Sequence, residues 1–348
     1  MRLSDLGELG LLKRLESVLS IPEAARAPAD ASAAARVVVG VGDDAAAVDV
    51  GGGRVLLLSC DSMVEGVHFA PARCAPDAIG FRAMAAALSD IAAMGGTPAW
   101  ALVTLAAPSD ADAAFAEELI RGARGAAERE GAVVVGGDCV NSPSGLGLDV
   151  TVVGEGRRDS LLLRSAAEPG QVVMVTGTVG DSAAGLAVLR GEARVDAEAA
   201  SYLTERHLLP TPRIAAGTVL AEHEAVTAAI DISDGLLRDA GHIAERSGVR
   251  VELLAEMVPI SPACRRVADA VQESALGFAL GGGEDYELLF TARADAAGAV
   301  EDALRSRAQI SATVVGEVRA GRGVGVLDKT GQPVNGLPEG WDHFRAGG

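Results

Sequence analysis

The sequence predicts a two-domain protein of α/β or α+β class, and three observations support this. A length of 348 residues suggests two domains, at about 150 residues per domain. Apolar residues make up 49% of the chain, which is enough to bury a sizeable core. Short apolar runs typical of strands alternate with helical patterns along the whole sequence, which indicates a fold that mixes both elements.

In the first half of the chain, the apolar pattern predicts three helices and five strands. Residues 22–35 are rich in Ala, Pro and Asp and predict a loop. Residues 91–109 carry no charge and raise the question of a membrane span, but Gly95–Pro98 interrupts them, which predicts a buried helix end, a turn and a buried strand. The predicted helices cover residues 6–19, 77–94 and 110–130, and the strands cover 36–41, 55–58, 99–105, 133–135 and 148–153.

A second unit begins near residue 157, so we predict one domain over residues 1–156 and another over 157–348. Residues 191–200 and the Pro-Thr-Pro break at 210–212 predict loops, and the Gly-rich tail from residue 319 predicts short strands. The other strands are predicted at 172–176, 228–232 and 286–290, and the helices at 181–189 and 236–247.

The charge balance excludes several classes of protein. The formal net charge is −18, from 30 Lys+Arg against 48 Asp+Glu, so the sequence predicts neither a nucleic-acid partner nor docking on an anionic membrane. Only Lys13 and Lys329 are lysines, and neither ends a phosphate-binding GxxxxGK[ST] loop, which excludes that mechanism.

The expected compartment is the cytoplasm. The first residues contain no long apolar segment of the kind found in signal peptides. The cysteines show neither CxxC pairs nor zinc-ligand spacing, so we interpret them as free thiols in a reducing environment. They are Cys60, Cys74, Cys139 and Cys264.

One pattern recurs where predicted strands end: a short turn with Gly or Ser that carries aspartate. A single motif of this kind is usually only a turn or a helix cap. Carboxylates gathered at one place, however, repel one another unless a cation is bound, and their hard oxygen atoms favour Mg²⁺ or Ca²⁺. The adjacent glycines let backbone N–H groups approach phosphates. The motifs are Gly42-Asp43-Asp44, Ser59-Cys60-Asp61, Gly136-Gly137-Asp138 and Asp231–Gly235, with Asp90 at a helical position.

These motifs and several others resemble the thiamine-monophosphate kinase family, in order along nearly the whole chain. The combination is far more specific than any one piece. The matching segments are Gly40–Ala46, Ser59–Asp61, Gly66–Phe69, Leu88–Gly95, Gly136–Asp138, Val175–Ser182, Asp231–Gly235, Gly282–Leu288 and Gly340–Phe344.

The resemblance implies a fold like that of aminoimidazole-ribonucleotide synthetase. The N-terminal α/β domain would bind metal and ATP and pair with a second copy in a barrel across a homodimer. The C-terminal α+β domain would complete the nucleotide and substrate site. The implied reaction transfers the γ-phosphoryl group of ATP, with several Mg²⁺ ions, to thiamine monophosphate, and gives thiamine diphosphate and ADP.

The resemblance also implies a role for each matching residue. Asp61, Asp138 and Arg164 would be the catalytic group, and Gly137, Asp138, Arg164 and Ser233 would contact ATP. His68, Glu284 and Trp341 would contact the thiamine side. Cys60 stands where many members have threonine; because a thiol is a poor Mg²⁺ ligand, its backbone carbonyl is the alternative. The implied metal ligands are Asp44, Ser59, Cys60, Asp61, Asp90, Asp138, Asp231 and Asp234.

The chemistry of phosphoryl transfer fits such a set. The acceptor is itself a phosphate and is mostly dianionic at neutral pH, so no general base is needed. Two anions must instead be held together by metal ions and an arginine, for which Arg164 is the candidate. Trp341 could stack on the cationic thiazolium or its attached pyrimidine. The alternatives are a surface ion pair for Arg164, core packing for Trp341 and a structural histidine at His68.

Other functions share parts of this pattern. Aminoimidazole-ribonucleotide synthetase has the same framework but gives no reason for the Gly-Trp-Asp-His-Phe segment at 340–344. Selenophosphate synthetase would need a reactive Cys in an N-terminal loop, and the hydrogenase-maturation relative would end in a cysteine. A non-catalytic acidic protein that binds divalent cations would explain the carboxylates but not Arg164.

Overall fold

The computed structural model describes residues 2–19, 36–338 and 340–344. The loop predicted at 22–35 lies outside these residues. Within them, no helix is long and apolar enough to cross a membrane. The uncharged stretch at 91–109 contains a helix end, a turn and a strand, as predicted, although one face of that strand is exposed.

The first half of the chain forms a six-stranded sheet with two helices packed on one face. The strand order is β1-β2-β3-β6-β4-β5, and only β4 and β5 run parallel. Helix α1 precedes the sheet and contacts the second half of the chain. The elements are α1 (Leu3–Val18), β1 (Arg36–Val39), β2 (Ala46–Gly51), β3 (Arg54–Val64), α2 (Pro76–Ala93), β4 (Thr97–Ala107), α3 (Ala113–Arg129), β5 (Val133–Asn141) and β6 (Gly147–Arg157).

Helices α2 and α3 pack unusually closely because glycine and alanine line their contact. A Cβ atom at Gly80 would lie 1.8 Å from the carbonyl oxygen of Leu119, and one at Gly122 would lie 1.8 Å from that of Asp77. This leaves α2 buried along most of its length, including a charged residue, Arg82. The helix carries Asp90 near its C-terminal end, beside the second half of the chain.

The opposite face of this sheet is not covered by any other part of the described chain, and we call it the outer face. Strand alternation puts Leu58 and Cys60 on the outer face and puts Ser59 and Asp61 on the face that carries the helices. Trp100 and Leu102 of β4 are 44% and 43% exposed on the same outer face. β5, at the edge of the sheet, is also largely exposed. A large apolar surface therefore ends at an open strand edge.

The second half of the chain forms another six-stranded sheet, of order β12-β9-β11-β7-β10-β8, with only β9 and β12 parallel. Seven α-helices accompany this sheet among the described residues. The elements are β7 (Gln171–Thr176), α4 (Asp181–Arg190), α5 (Ala197–Leu208), α6 (Ile214–Ala221), β8 (Val226–Asp231), α7 (Leu236–Ser247), β9 (Arg250–Leu254), α8 (Pro262–Val271), α9 (Ala275–Gly281), β10 (Leu288–Arg293), α10 (Ala297–Ala303), β11 (Ala312–Arg319) and β12 (Gly323–Leu327).

The strands predicted at 55–58 and 133–135 continue as β3 to Val64 and as β5 to Asn141, so Ser59-Cys60-Asp61 and Gly136-Gly137-Asp138 lie inside strands and not in turns at strand ends.

Two other predicted boundaries are wrong for identifiable reasons. The loop predicted at 191–200 contains the start of α5, because the side chain of Asp196 caps that helix by accepting from the Ala199 N–H at 2.9 Å. The strand predicted at 286–290 begins only at Leu288, because Glu284 and Tyr286 have left-handed φ angles of 65° and 51° that a strand does not permit.

Candidate active site

A cavity of about 500 Å³ lies between the two halves of the chain. Strand β3 and helix α2 supply one wall, and the turn after β8, the loop before β10 and the segment 340–344 supply others. Four of the predicted metal ligands line it: Asp61, Asp90, Asp231 and Asp234. The folding of two distant sequence regions onto each other thus creates one acidic cavity.

The acidic side of the cavity is centred on Asp44, Asp90 and Asp231. Each offers a carboxylate oxygen, and these oxygens all lie within 4.8 Å of one another. Ser59 Oγ donates to Asp90, and Ser89 Oγ donates to Asp231 at 2.7 Å. Burial, and then the charges of neighbouring aspartates, raise the pKa values of Asp90 and Asp231 well above the usual range.

Asp61 and Asp234 extend this acidic cluster along the cavity. Burial raises the pKa of Asp61 to about 6, with further increases from the charges of Asp234 and Asp44. Burial likewise raises the pKa of Asp234, and the guanidinium of Arg238, with Nε at 3.3 Å from its carboxylate, opposes that shift. Asp234 also belongs to a second group with Asp239 and His242 whose ligand atoms lie within 4.8 Å of one another.

The donor atoms of the cluster fit Mg²⁺. Asp44 Oδ2 is buried, and within the described part of the chain it accepts no hydrogen bond. Such an orphaned oxygen, surrounded by carboxylates that repel it, is stabilised by a hard cation that takes oxygen ligands. The side chains that would hold the ion are those of Asp44, Asp61, Asp90, Asp231 and Asp234, with the hydroxyl of Ser59 beside Asp90.

Arg164 adds the positive charge that the acidic cluster needs. Its Nη2 donates to Asp44 Oδ1 at 2.5 Å, and its backbone N–H faces the carboxylate of Asp43 at 3.3 Å. Its Nε is buried and has no hydrogen-bond partner among the described residues. Arg164 is therefore a largely buried group beside the cluster, which differs from the surface ion pair considered as its alternative.

The predicted thiamine-side residues meet at the other wall of the cavity. His68, Glu284 and Trp341 all line it, together with Ser233. His68 Nδ1 accepts from the Val64 N–H at 3.0 Å, and burial lowers the pKa of this imidazole, which favours the neutral ring. Trp341 Nε1 donates to His343 Nδ1 at 3.2 Å. The indole thus borders the cavity and is not part of the hydrophobic core.

Three predicted residues lie away from the cluster within one chain. Ser62 of β3 pairs with Asp149 of β6, Asp149 pairs with Thr104 of β4, and Thr104 pairs with Asp138 of β5. Paired residues lie on the same face, so Asp138 is on the outer face with Ser62. Three strand spacings, or about 14 Å, separate β5 from β3. Cys60 also faces outward and accepts from Thr151 Oγ1 at 3.5 Å, so its thiol does not reach the cluster.

Gly137, the third of these residues, has a structural reason to be glycine. A Cβ atom there would lie 1.8 Å from the Val103 carbonyl oxygen of the neighbouring strand β4. The close pairing of β5 with β4 therefore accounts for a glycine at this position within one chain.

The sequence analysis did not single out Arg82, His207 or Asp285, which the structure places around Glu284. Arg82 Nη2 donates to Glu284 Oε1, and Arg82 is only 2% exposed. The signal was an arginine inside an alanine-rich apolar helix, where an unpaired charge is costly. Asp285 lies in the matching segment Gly282–Leu288, which did not indicate its own role, and His207 gave no signal in the sequence.

The comparisons with known proteins first define a class. Both halves of the chain match models described as AIR synthase related protein, the N-terminal domain over residues 42–156 and the C-terminal domain over 168–329. The chain therefore has the two-domain fold of the AIR synthase related proteins. The hydrogenase maturation protein HypE of E. coli shares this fold, with a TM-score of 0.67 at 19% identity over 94% of this chain and 95% of its own.

The relatives that are more similar in sequence define the family. The thiamine-monophosphate kinase of Aquifex aeolicus is 36% identical over 99% of this chain and 100% of its own length, and that of Escherichia coli K12 is 39% identical over 88% and 92%. A solved structure of AaThiL complexed with AMPPCP and TMP has a TM-score of 0.82 and 36% identity, and covers 99% of both chains. The chain belongs to the thiamine-monophosphate kinase family, which confirms the resemblance and the two-domain fold that it implied.

Proposed function

We propose that this protein transfers the γ-phosphoryl group of ATP directly to thiamine monophosphate, giving thiamine diphosphate and ADP. The observation that carries the proposal is a single cavity with an acidic cation-binding side and a side formed by His68, Glu284 and Trp341. The AaThiL structure, complexed with AMPPCP and TMP, supports the assignment of both substrates. We also propose a cytoplasmic location, on the basis of the free cysteines.

Each side of the cavity has a distinct task in this reaction. Mg²⁺ bound at the carboxylates would neutralise the phosphates and the charge that develops on the transferred group. Arg164 would bind phosphate oxygens, Ser233 would contact ATP, and Trp341 would stack on the thiamine cation. No side chain has to remove a proton, since the acceptor oxygen is already anionic at neutral pH.

The direct test is an assay with purified protein, thiamine monophosphate, ATP and Mg²⁺, with thiamine diphosphate separated and quantified by chromatography. We expect turnover that requires both substrates and stops with EDTA. Turnover only with another acceptor would favour a different AIR synthase related activity. Cation binding without any turnover would favour the non-catalytic alternative.

We propose further that the protein is a homodimer whose chains pair through the outer face. The support is the apolar outer face, with Leu58, Trp100 and Leu102 exposed, and the open edge at β5. Asp138 faces the same side, away from its own chain's cluster. In such a dimer, Gly137 and Asp138 would contact ATP in the site of the second copy, and Asp138 would also bind its metal ion.

Mixed dimers test this shared site. Asp61→Asn and Asp138→Asn should each be inactive alone, whereas unfolding and refolding them together should restore about a quarter of wild-type activity. The reason is that half of randomly formed dimers are mixed, and each mixed dimer has one site with both aspartates intact. Activity and sedimentation of the mixture are measured together.

Two further variants complete this test. Leu102→Glu, which places a charge on the outer face, should give monomers, whereas Met257→Glu, at an exposed position elsewhere, should not. A mixture that remains inactive although dimers form would contradict the shared site, and a monomeric wild-type chain would contradict the dimer.

A further inference from the structure

Glu284 lies in a loop whose backbone conformation must be held by other parts of the protein. Glu284 and Tyr286 have φ angles of 65° and 51°, which side chains with a Cβ atom rarely adopt. The backbone N–H of Glu284 donates to the Ser233 carbonyl at 2.8 Å, and that of Tyr286 donates to the Ile232 carbonyl at 2.9 Å. The loop is therefore attached to the turn that carries Ser233 and Asp234.

Asp285 attaches the same loop to the start of helix α4. Its carboxylate is 1% exposed and accepts from the Gly180 N–H at 2.6 Å and the Ser182 N–H at 3.1 Å. These are N–H groups at a helix N-terminus, where a carboxylate is favourable. Asp285 thus fixes the backbone on which Glu284 is mounted, while its own side chain points away from the cavity into buried structure.

Arg82 fixes the side chain of Glu284 from the other half of the chain. Its Nη2 donates to Glu284 Oε1, and this carboxylate is its only charged hydrogen-bond partner among the described residues. Burial alone would raise the pKa of Glu284, but the charge of Arg82 holds it below the usual range. Glu284 is therefore kept ionised.

The neighbours of Glu284 within the described ranges leave one of its carboxylate oxygens available. His207 Nδ1 lies 3.8 Å from Glu284 Oε2, beyond hydrogen-bond distance, and is 2.9 Å from Ser182 Oγ. Burial, and then the charge of Arg82, lower the pKa of His207 to about 4, so its ring is neutral near pH 7. With Oε1 bound to Arg82, Oε2 is the acceptor that Glu284 can offer to an N–H group of a substrate in the cavity.

We propose that Arg82 and Asp285 are positioning residues that set Glu284 to accept a hydrogen bond from the aminopyrimidine of the acceptor. This inference rests on the proposed function and adds the means by which that site selects its substrate. Arg82 fixes the charge and rotamer of Glu284, and Asp285 fixes the backbone beneath it. Neither residue belongs to the acidic cluster, so ATP binding and the chemical step should be nearly independent of them.

The charge of Arg82 is tested by comparing Arg82→Met with Arg82→Lys. For Arg82→Met we expect KM for thiamine monophosphate to rise roughly 10- to 100-fold, with KM for ATP and kcat changed less than about threefold, because a charge-assisted contact is lost only on the acceptor side. Arg82→Lys should recover most of the affinity, since a single N–H donor makes the contact to Oε1. Calorimetric titration with thiamine monophosphate should give the same order of affinities.

The matched control is Arg213→Met. Arg213 pairs with the buried Glu287 and does not line the cavity. This variant should lose thermal stability and keep KM for thiamine monophosphate. Asp285→Asn should behave like Arg82→Met, because an amide cannot accept from two N–H groups in the same geometry.

The outcomes separate this inference from the proposed function. A wild-type protein that does not phosphorylate thiamine monophosphate contradicts the function itself. An active wild type, together with an unchanged KM in both Arg82→Met and Asp285→Asn, overturns only the positioning roles. A KM that rises equally in Arg82→Lys and Arg82→Met would also overturn them. If Arg82→Met does not fold, Arg82→Gln gives the same comparison.

Discussion

Replacing Asp61 with asparagine is expected to lower kcat by roughly a thousandfold while the protein remains folded, because cation-bound carboxylates contribute several kcal/mol to phosphoryl transfer. Burial and the charges of Asp234 and Asp44 raise the pKa of Asp61 to about 6. Above that pH the ionised carboxylate costs stability in the metal-free protein. A neutral amide removes this cost, so the Tm of Asp61→Asn in EDTA should equal or exceed that of the wild type.

The same variant should respond less to Mg²⁺. The wild type should gain Tm on addition of the ion, because ligands that bind only the folded state stabilise it, and Asp61→Asn should gain less. Asp159→Asn is the matched control, since Asp159 is exposed and, among the residues that the structure describes, forms its ion pair with Arg157. A variant with kcat within tenfold of the wild type and an unchanged Mg²⁺ response would show that Asp61 is not a ligand.

The sequence could predict these carboxylates because each follows a local rule. Asp44 precedes β2 and Asp231 ends β8, whereas Asp61 lies inside β3; the family resemblance places all of them at one site. The structure brings Asp44, Asp90 and Asp231 together without any sequence adjacency. The prediction of these metal ligands therefore rested on local sequence patterns together with the family resemblance.

Short motifs do not show directly which face of the sheet each strand residue occupies. Ser59, Cys60 and Asp61 read as one motif, yet alternation sends Cys60 to the outer face and the other two toward the cluster. The partners of Glu284 were missed for a different reason: Arg82 is 202 residues away, and its contact exists only after the two halves fold together. The division into domains at residue 156 remains a prediction.

Arg164 gives the second large expected effect, because it balances the acidic cluster when no cation is bound. Its guanidinium donates to the buried Asp44, and removal of one partner of a buried ion pair typically costs about 3–5 kcal/mol. Arg164→Met should therefore be strongly destabilised in EDTA. Mg²⁺, which would take over the charge on Asp44, should recover more Tm in this variant than in the wild type.

The kinetic effect of Arg164→Met reports which phosphate the arginine binds. If it contacts ATP, KM for ATP should rise and kcat should fall, together lowering kcat/KM for ATP by roughly a thousandfold. KM for thiamine monophosphate should then stay near the wild-type value, and Arg164→Lys should recover stability more than activity, because lysine keeps the charge but loses the planar fork. A rise in KM for thiamine monophosphate alone would instead place Arg164 on the acceptor phosphate.

Since Arg164 holds Asp44 through Nη2 and leaves its buried Nε without a partner among the described residues, binding of the cation to Asp44 would release a second donor toward the substrate. Stability without metal and affinity for ATP should therefore change together in this variant, whereas in Arg82→Met both the response to Mg²⁺ and the KM for ATP should stay close to those of the wild type.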